Sequence, residues 1–181
     1  MSDARRAFAA NPVAALLATG LGAGLSPVAP GTAGSVVGLA LSWLLASSLV
    51  AAHASILQAV LGLMMSGLAV GLLGVAVSGP VCRALQAEDP GCIVIDEVSG
   101  QLFACAAVPL LALESSRLEA GAWIASFLLF RFFDVVKPGP IRQLQELPGG
   151  WGVVADDVAG GIAAAVSLAA LGWLAARFGW I

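Results

Sequence analysis

Two stretches carry residues that could do chemistry in an otherwise apolar chain: Val94-Ile95-Asp96-Glu97-Val98-Ser99-Gly100 and Val154-Ala155-Asp156-Asp157-Val158-Ala159-Gly160. Both read Val-x-Asp-acid-Val-x-Gly, and both open a long hydrophobic segment. An acid near a bilayer core costs about 2.5–3.5 kcal/mol on insertion scales, so such acids are kept for function or are partnered. Oxygen-only ligands suit a hard cation, and Mg²⁺ is commonly held by a few carboxylates plus waters and a phosphate. Asp96, Glu97, Asp156 and Asp157 are therefore candidate Mg²⁺ ligands. The plainer alternative is that acids at helix N-termini complement the macrodipole. That accounts for one pair more readily than for two matching ones. Adjacent helical residues point about 100° apart, so each pair should straddle a helix–helix groove. Gly100 and Gly160, each four positions after the leading aspartate, keep the face below it open.

A second constellation follows the same logic. Arg131, Asp134 and Lys137 recur every three residues and share one helix face. Charges at a span end can be simple anchors that snorkel to the interface. Asp134 fits that poorly, because Phe132, Phe133 and Val135 surround it in sequence. Lys137 stands before Pro138, where a helix must stop, and a cation there suits a phosphate. The run from Gly24 to Ser35, with Pro27, Pro30, Gly31 and Gly34, reads as a loop lining a cavity. It offers the hydroxyls of Ser26, Thr32 and Ser35 and the amide of Gly31 to an anion.

Other phosphate chemistries lack their residues. A Cys-x5-Arg loop would need Arg at 88, 98 or 111, where Glu88, Val98 and Leu111 stand. The sole histidine, His53, falls at the opposite end of the spans, and no Gly-x4-Gly-Lys-Ser/Thr loop is present. Metal-assisted chemistry by carboxylates is what these residues can support.

These residues must be positioned by membrane helices. Of the 181 residues, 60% are hydrophobic and 10% charged, against roughly 25% charged in a soluble domain. The expected fold is all-α: a polytopic helical bundle forming a single domain over 1–181. Its parts are an N-terminal arm (1–30), with an interfacial or re-entrant helix capped by Asn11-Pro12, and a bundle over 33–177. Five unbroken spans are expected, at about 33–51, 55–78, 92–113, 120–136 and 156–177. Polar connectors are expected at Gly79–Gly91, Glu114–Glu119 and Gly139–Ala155. Gly62, Gly67, Gly71 and Gly74 should let the second span approach its neighbours closely. Cys82, Cys92 and Cys105 have no metal-type spacing and read as small apolar filler. A net charge of -3 points to no nucleic-acid partner.

Arg5, Arg6, Arg83, Arg131, Lys137 and Arg142 fall on one side of this alternation, and Arg117 and Arg177 on the other. The positive-inside rule then puts the N-terminus in the cytoplasm. The loop, both acid pairs and the Arg131–Lys137 group all fall on that side too.

Together these motifs resemble the phosphatidylglycerophosphatase A family of bacterial inner-membrane lipid phosphatases. The resemblance rests on Asn-Pro at 11–12, Gly-Leu-Ser-Pro-x-Ala-Pro-Gly-Thr at 24–32, Asp-Pro at 89–90 and Ile-Asp-Glu at 95–97. Arg-Phe-Phe-Asp-x-x-Lys-Pro-x-Pro-Ile-Arg at 131–142 and Gly-Gly-x-Gly-x-x-x-Asp-Asp at 149–157 complete it. Where that family often has an aromatic after Lys-Pro, this chain has Gly139. The resemblance implies Mg²⁺-dependent removal of the terminal phosphate of phosphatidylglycerophosphate, leaving phosphatidylglycerol in the bilayer. On this reading Mg²⁺ sits on the two acid pairs. Arg131, Lys137, Arg142, Thr32, Ser26 and the Gly31 amide contact phosphate, and Asp134 is a ligand, base or nucleophile. The rival readings are a small ion-coupled transporter, which would carry its acids near the midplane on broken helices, and a non-catalytic membrane scaffold.

Overall fold

The computed structural model describes residues 3–111 and 116–179. It is helical throughout, with no strand among the described residues. The helices are α1 (Asp3–Ala10), α2 (Pro12–Ala18), α3 (Pro30–Ala51), α4 (Ile56–Leu85), α5 (Ile95–Cys105), α6 (Val108–Leu111), α7 (Ser116–Val136), α8 (Pro140–Gln143) and α9 (Gly150–Arg177). Three of them, α3, α4 and α9, are long and apolar enough to cross a membrane, with mean hydropathies of 1.8, 2.3 and 1.9. The 21-residue α7 has the length, but Arg117, Glu119, Arg131 and Asp134 keep it out of that group. The expected turn at Glu114 lies outside the described residues.

The bundle is built around α5. Every residue of α5 except Glu97 is buried, with α3, α4, α7 and α9 packed around it. Small residues make this possible. Gly67, Gly71 and Gly74 of α4 lie against Phe103, Ser99 and Ile95, and a methyl group on Gly67 would come 2.9 Å from the Phe103 ring. Ser99 Oγ donates across the same seam to the Gly67 carbonyl at 2.8 Å. The close approach expected of these α4 glycines is present. The arm begins as expected, with Asn11 accepting from the Ala14 amide and Pro12 in the first helical turn. Its Ala7, Ala14, Ala15 and Ala18 then pack into a core with Val77, Val81, Leu85, Ile93 and Val154.

Four expectations about the elements are corrected. Pro30–Ser35 is helix rather than loop, because a proline fits the first turn, where no donor is needed. The second long helix continues through Gly79-Pro80 to Leu85, which shortens the connector. The third segment is interrupted at residues 106 and 107: Pro109 has no amide to bond the Cys105 carbonyl, and the Ala106 amide turns back to the Phe103 carbonyl at 3.1 Å. The fifth helix starts at Gly150, so Asp156 and Asp157 lie nearly two turns inside it rather than at its mouth.

Candidate active site

The acids and cations converge at the end of the bundle where α3, α5 and α9 begin and α7 ends. The connector after α4 re-enters the protein before α5 starts, tying the Val94 amide to the Ala18 carbonyl at 2.9 Å. This seats Asp96 and Glu97, in the first turn of α5, below the rim of the bundle. A cleft of about 260 Å³ lies above them, walled by Pro30 and Gly31 of α3, Arg131, Asp134 and Val135 of α7, Lys137, and Val153 and Asp157 of α9. Asp89, Gly91 and Ile93 close it from the connector.

Within the cleft the acids divide into two groups. Asp96, Glu97 and Asp157 each bring an oxygen to within 4.8 Å of the others. Asp96 Oδ1, Glu97 Oε2 and Asp157 Oδ2 are buried with no hydrogen-bond partner. Three converging carboxylates, each with an unpartnered buried oxygen, repel one another unless a cation joins them, and an all-oxygen set fits a hard divalent ion. Asp156 does not join this cluster, although its Oδ1 is likewise buried without a partner. Its Oδ2 is paired with Lys137 Nζ, which draws it toward the end of α7. The step of about 100° between neighbours on α9 separates the two aspartates.

The cations are held from the opposite wall. Arg131 pairs with Asp134 Oδ2 through Nη1, which also donates to Ser35 Oγ at 3.2 Å, while Ser35 donates to the Gly31 carbonyl at 2.9 Å. Lys137 Nζ lies 3.9 Å from Asp134 Oδ1. Asp134 thus stands between the two cations and faces both, as the three-residue spacing predicts. Lys137 is the first residue past α7 and has a φ of 44°, a left-handed conformation a non-glycine residue keeps only where its surroundings demand it. Burial acts to lower its pKa, but the Asp156 hydrogen bond and the charges of Asp156, Asp157 and Asp134 outweigh it, so the ammonium sits above the ordinary lysine value.

Glycines set how closely the helices bring these groups. A methyl group on Gly31 would collide with Glu97 Oε1 and stand 3.5 Å from Arg131 Nη1. One on Gly100 would meet the Asp157 carbonyl at 2.6 Å, and one on Gly161 the Gly100 backbone, with its Cα at 3.0 Å. The α5–α9 crossing is therefore Gly100 on Gly161. Gly160 instead faces Phe133 and Asp134 on α7.

Three residues expected to contact phosphate fall elsewhere. Ser26 turns back on its own loop, donating to the Val28 carbonyl at 2.8 Å. Thr32 is half-buried on α3 and is not a cleft wall, and Arg142 is exposed on α8. Asp89, whose Asp-Pro was noticed only as a motif, lines the cleft rim. Desolvation leads in raising its carboxyl above the usual range even though the residue keeps access to solvent; Lys137 opposes the rise, and Asp156 and Asp134 add to it. The break at 106–107 is about ten residues, or ~15 Å, beyond the acids, so they do not sit on a mid-helix break.

Apolar helices around a buried acidic cluster, faced by an arginine and a lysine, define a membrane-associated helical bundle with a charged cleft at one end. The family model described as phosphatidylglycerophosphatase A matches residues 16–172. The chain is 37% identical over 163 residues to phosphatidylglycerophosphatase A of Haemophilus influenzae, covering 89% of each protein. It is 34% identical over 152 residues to phosphatidylglycerophosphatase A of Escherichia coli, covering 83% of this chain and 78% of that protein. A Bacteroides thetaiotaomicron protein, provisionally named a phosphatidylinositol-3-phosphatase, is 33% identical over 163 residues, 88% of this chain and 93% of its own. No solved structure matches the chain. The chain belongs to the phosphatidylglycerophosphatase A family, and its class is that of the phosphoric monoester hydrolases.

Proposed function

We propose that this protein removes the terminal phosphate of phosphatidylglycerophosphate, in a Mg²⁺-dependent reaction at the cytoplasmic side of a bacterial inner membrane. The observation that carries the reading is the division of the cleft. Asp96, Glu97 and Asp157 cluster on α5 and α9, each with an unpartnered buried oxygen, and Arg131 and Lys137 line the cleft from α7 and its end. The bacterial relatives and the excess of Lys and Arg on the cleft side support the location.

Asp96, Glu97 and Asp157 would hold the ion, which when bound supplies Lewis acidity toward phosphoryl oxygen and a water of lowered pKa. Arg131 and Lys137 neutralise the remaining phosphoryl oxygens, and such charge stabilisation is most of the work in phosphoryl transfer. Asp134 and Asp156 hold these two cations in place. With its oxygens facing Arg131 and Lys137, Asp134 is poorly disposed to attack phosphorus, which favours water as the nucleophile. Water adds to phosphorus, the bond to the glycerol oxygen breaks, and that oxygen takes a proton to give phosphatidylglycerol and inorganic phosphate. Gly31 lets Glu97 and Arg131 pack closely against α3 at the edge of the cleft, where a methyl group would collide with Glu97 Oε1.

Phosphate release by the purified protein is the test, with phosphatidylglycerophosphate compared against phosphatidylinositol 3-phosphate, with Mg²⁺ and after chelation. Release from the first lipid that stops on chelation is expected. A folded sample inactive on it with metal present overturns the reading.

A further inference from the structure

We infer that the substrate's acyl chains lie on an apolar track along the outer face of α7 and that the head group enters the cleft sideways, between α7 and α3. This inference rests on the function proposed above and adds the route by which a lipid reaches the site. On α7, Ile124, Leu128, Phe132 and Val135 are exposed by 61%, 59%, 55% and 72%, at spacings of four, four and three residues that place them on one face. Any helix in lipid presents such a stripe. This one differs in where it ends, because Val135 is also a wall of the acidic cleft. At about 100° per residue, Val135 and Leu128 fall within roughly 60° of Arg131 around the α7 axis, on the side away from Phe130 and Phe133, which pack toward α5 and α9.

The neighbouring helix leaves this approach open. Of the adjacent pairs surrounding α5, α3 and α7 pack least against each other. At cleft level α3 presents Pro30 and Gly31, and the side chains that lie against Gly31 are the Glu97 carboxylate and the Arg131 guanidinium of the site itself. The Arg131–Ser35 hydrogen bond crosses the α3–α7 seam. A chain on the track therefore ends beside the guanidinium that faces the phosphate. A lateral groove between α4 and α9 is about 220 Å³ and lined by apolar residues that include Met64, Phe103, Ala106 and Val166. It opens two to three turns beyond the acids, level with the α5–α6 break, so a lipid seated there could not place its head group in the cleft.

Two measurements on the full-length protein test this. The first uses phosphatidylglycerophosphate with a photoactivatable group midway along one acyl chain. Labelling concentrated at Ile124 and Leu128, and lost on adding unlabelled substrate, is expected. Labelling centred on Met64 and Val166, or spread evenly, overturns the inference. The second compares Leu128→Trp with Val166→Trp, the latter an equally lipid-exposed control on α9. Leu128→Trp should raise KM for the diacyl lipid roughly tenfold, the scale on which apolar contacts discriminate, and leave hydrolysis of the deacylated phosphomonoester unchanged. Equal effects on both substrates, or equal effects of both variants, overturn the track. Wild-type protein inactive on the diacyl lipid would instead defeat the underlying function, which keeps the two failures apart, and if only the deacylated substrate is not turned over the labelling result decides. The labelling result decides the matter if Leu128→Trp does not fold.

Discussion

Lys137 and Asp156 form an ion pair across the α7–α9 boundary, with Asp156 2% exposed and the Lys137 side chain 21% exposed. The pair sits on the residue next to Asp157, so two adjacent aspartates of one helix serve different partners. Breaking a buried pair by removing one charge costs about 3–5 kcal/mol, and the lower end applies where one partner keeps some water.

The doublet should therefore split under mutation. Asp156→Asn is expected to lower turnover about 10–100-fold and the melting temperature by several degrees, with the Mg²⁺ concentration for half-maximal activity near wild type. Asp157→Asn should shift that concentration upward by tenfold or more. Metal titrations read by activity and by thermal shift check this. The same Mg²⁺ shift in both variants would return Asp156 to the metal cluster.

Gly31→Ala separates activity from stability. The new methyl group meets the flexible end of Glu97, which can move at little cost, so melting should change by less than about 1 kcal/mol equivalent. Moving Glu97 displaces a proposed ligand oxygen, so a loss of activity of at least about tenfold is expected. Wild-type turnover in this variant would remove Glu97 from the metal set.

Gly161→Ala has the opposite signature. Its methyl group meets the Gly100 backbone, which has no side chain to swing away, so the α5–α9 crossing must open. Overpacking of this kind costs about 1–3 kcal/mol, and reduced yield and melting temperature in detergent are expected. A variant as stable as wild type would mean that the crossing is looser than described.

The pH dependence of the Lys137 contribution has a defined sign. A lysine whose folded pKa is raised stabilises the fold fully below the unfolded value of about 10.4 and loses that contribution as pH rises through the folded value. The melting-temperature difference between wild type and Lys137→Met should hold steady from pH 7 to about 10 and narrow above it. A difference that shrinks between pH 7 and 9 would show that the ammonium is not stabilised by its acidic neighbours.

Composition and motif spacing were enough to read an all-helical, membrane-type bundle with its acids and cations at one end. The grouping of Asp96, Glu97 and Asp157 beside Arg131, Asp134 and Lys137 also follows from helix direction and three-residue spacing. The division within Asp156-Asp157 does not, because it depends on the rotation of α9 against α7, which is set by packing at Gly160 and Gly161. Thr32 and Arg142 were misplaced for a similar reason: a hydroxyl or guanidinium near a motif is legible, but the direction it points is not. Pro30 suggested a loop where it starts a helix, and the connector expected from Gly79 is helical through Pro80 to Leu85. Pro109 was passed over and interrupts the third segment.

A helix enclosed by its own protein over nearly all of its surface meets the bilayer chiefly through its neighbours. Because α5 carries Asp96 and Glu97 in that position, changes in bilayer thickness must be taken up by tilting of the outer helices before they can disturb the acids. The acidic end of the bundle thus answers to the bilayer only at second hand, through the helices that enclose it.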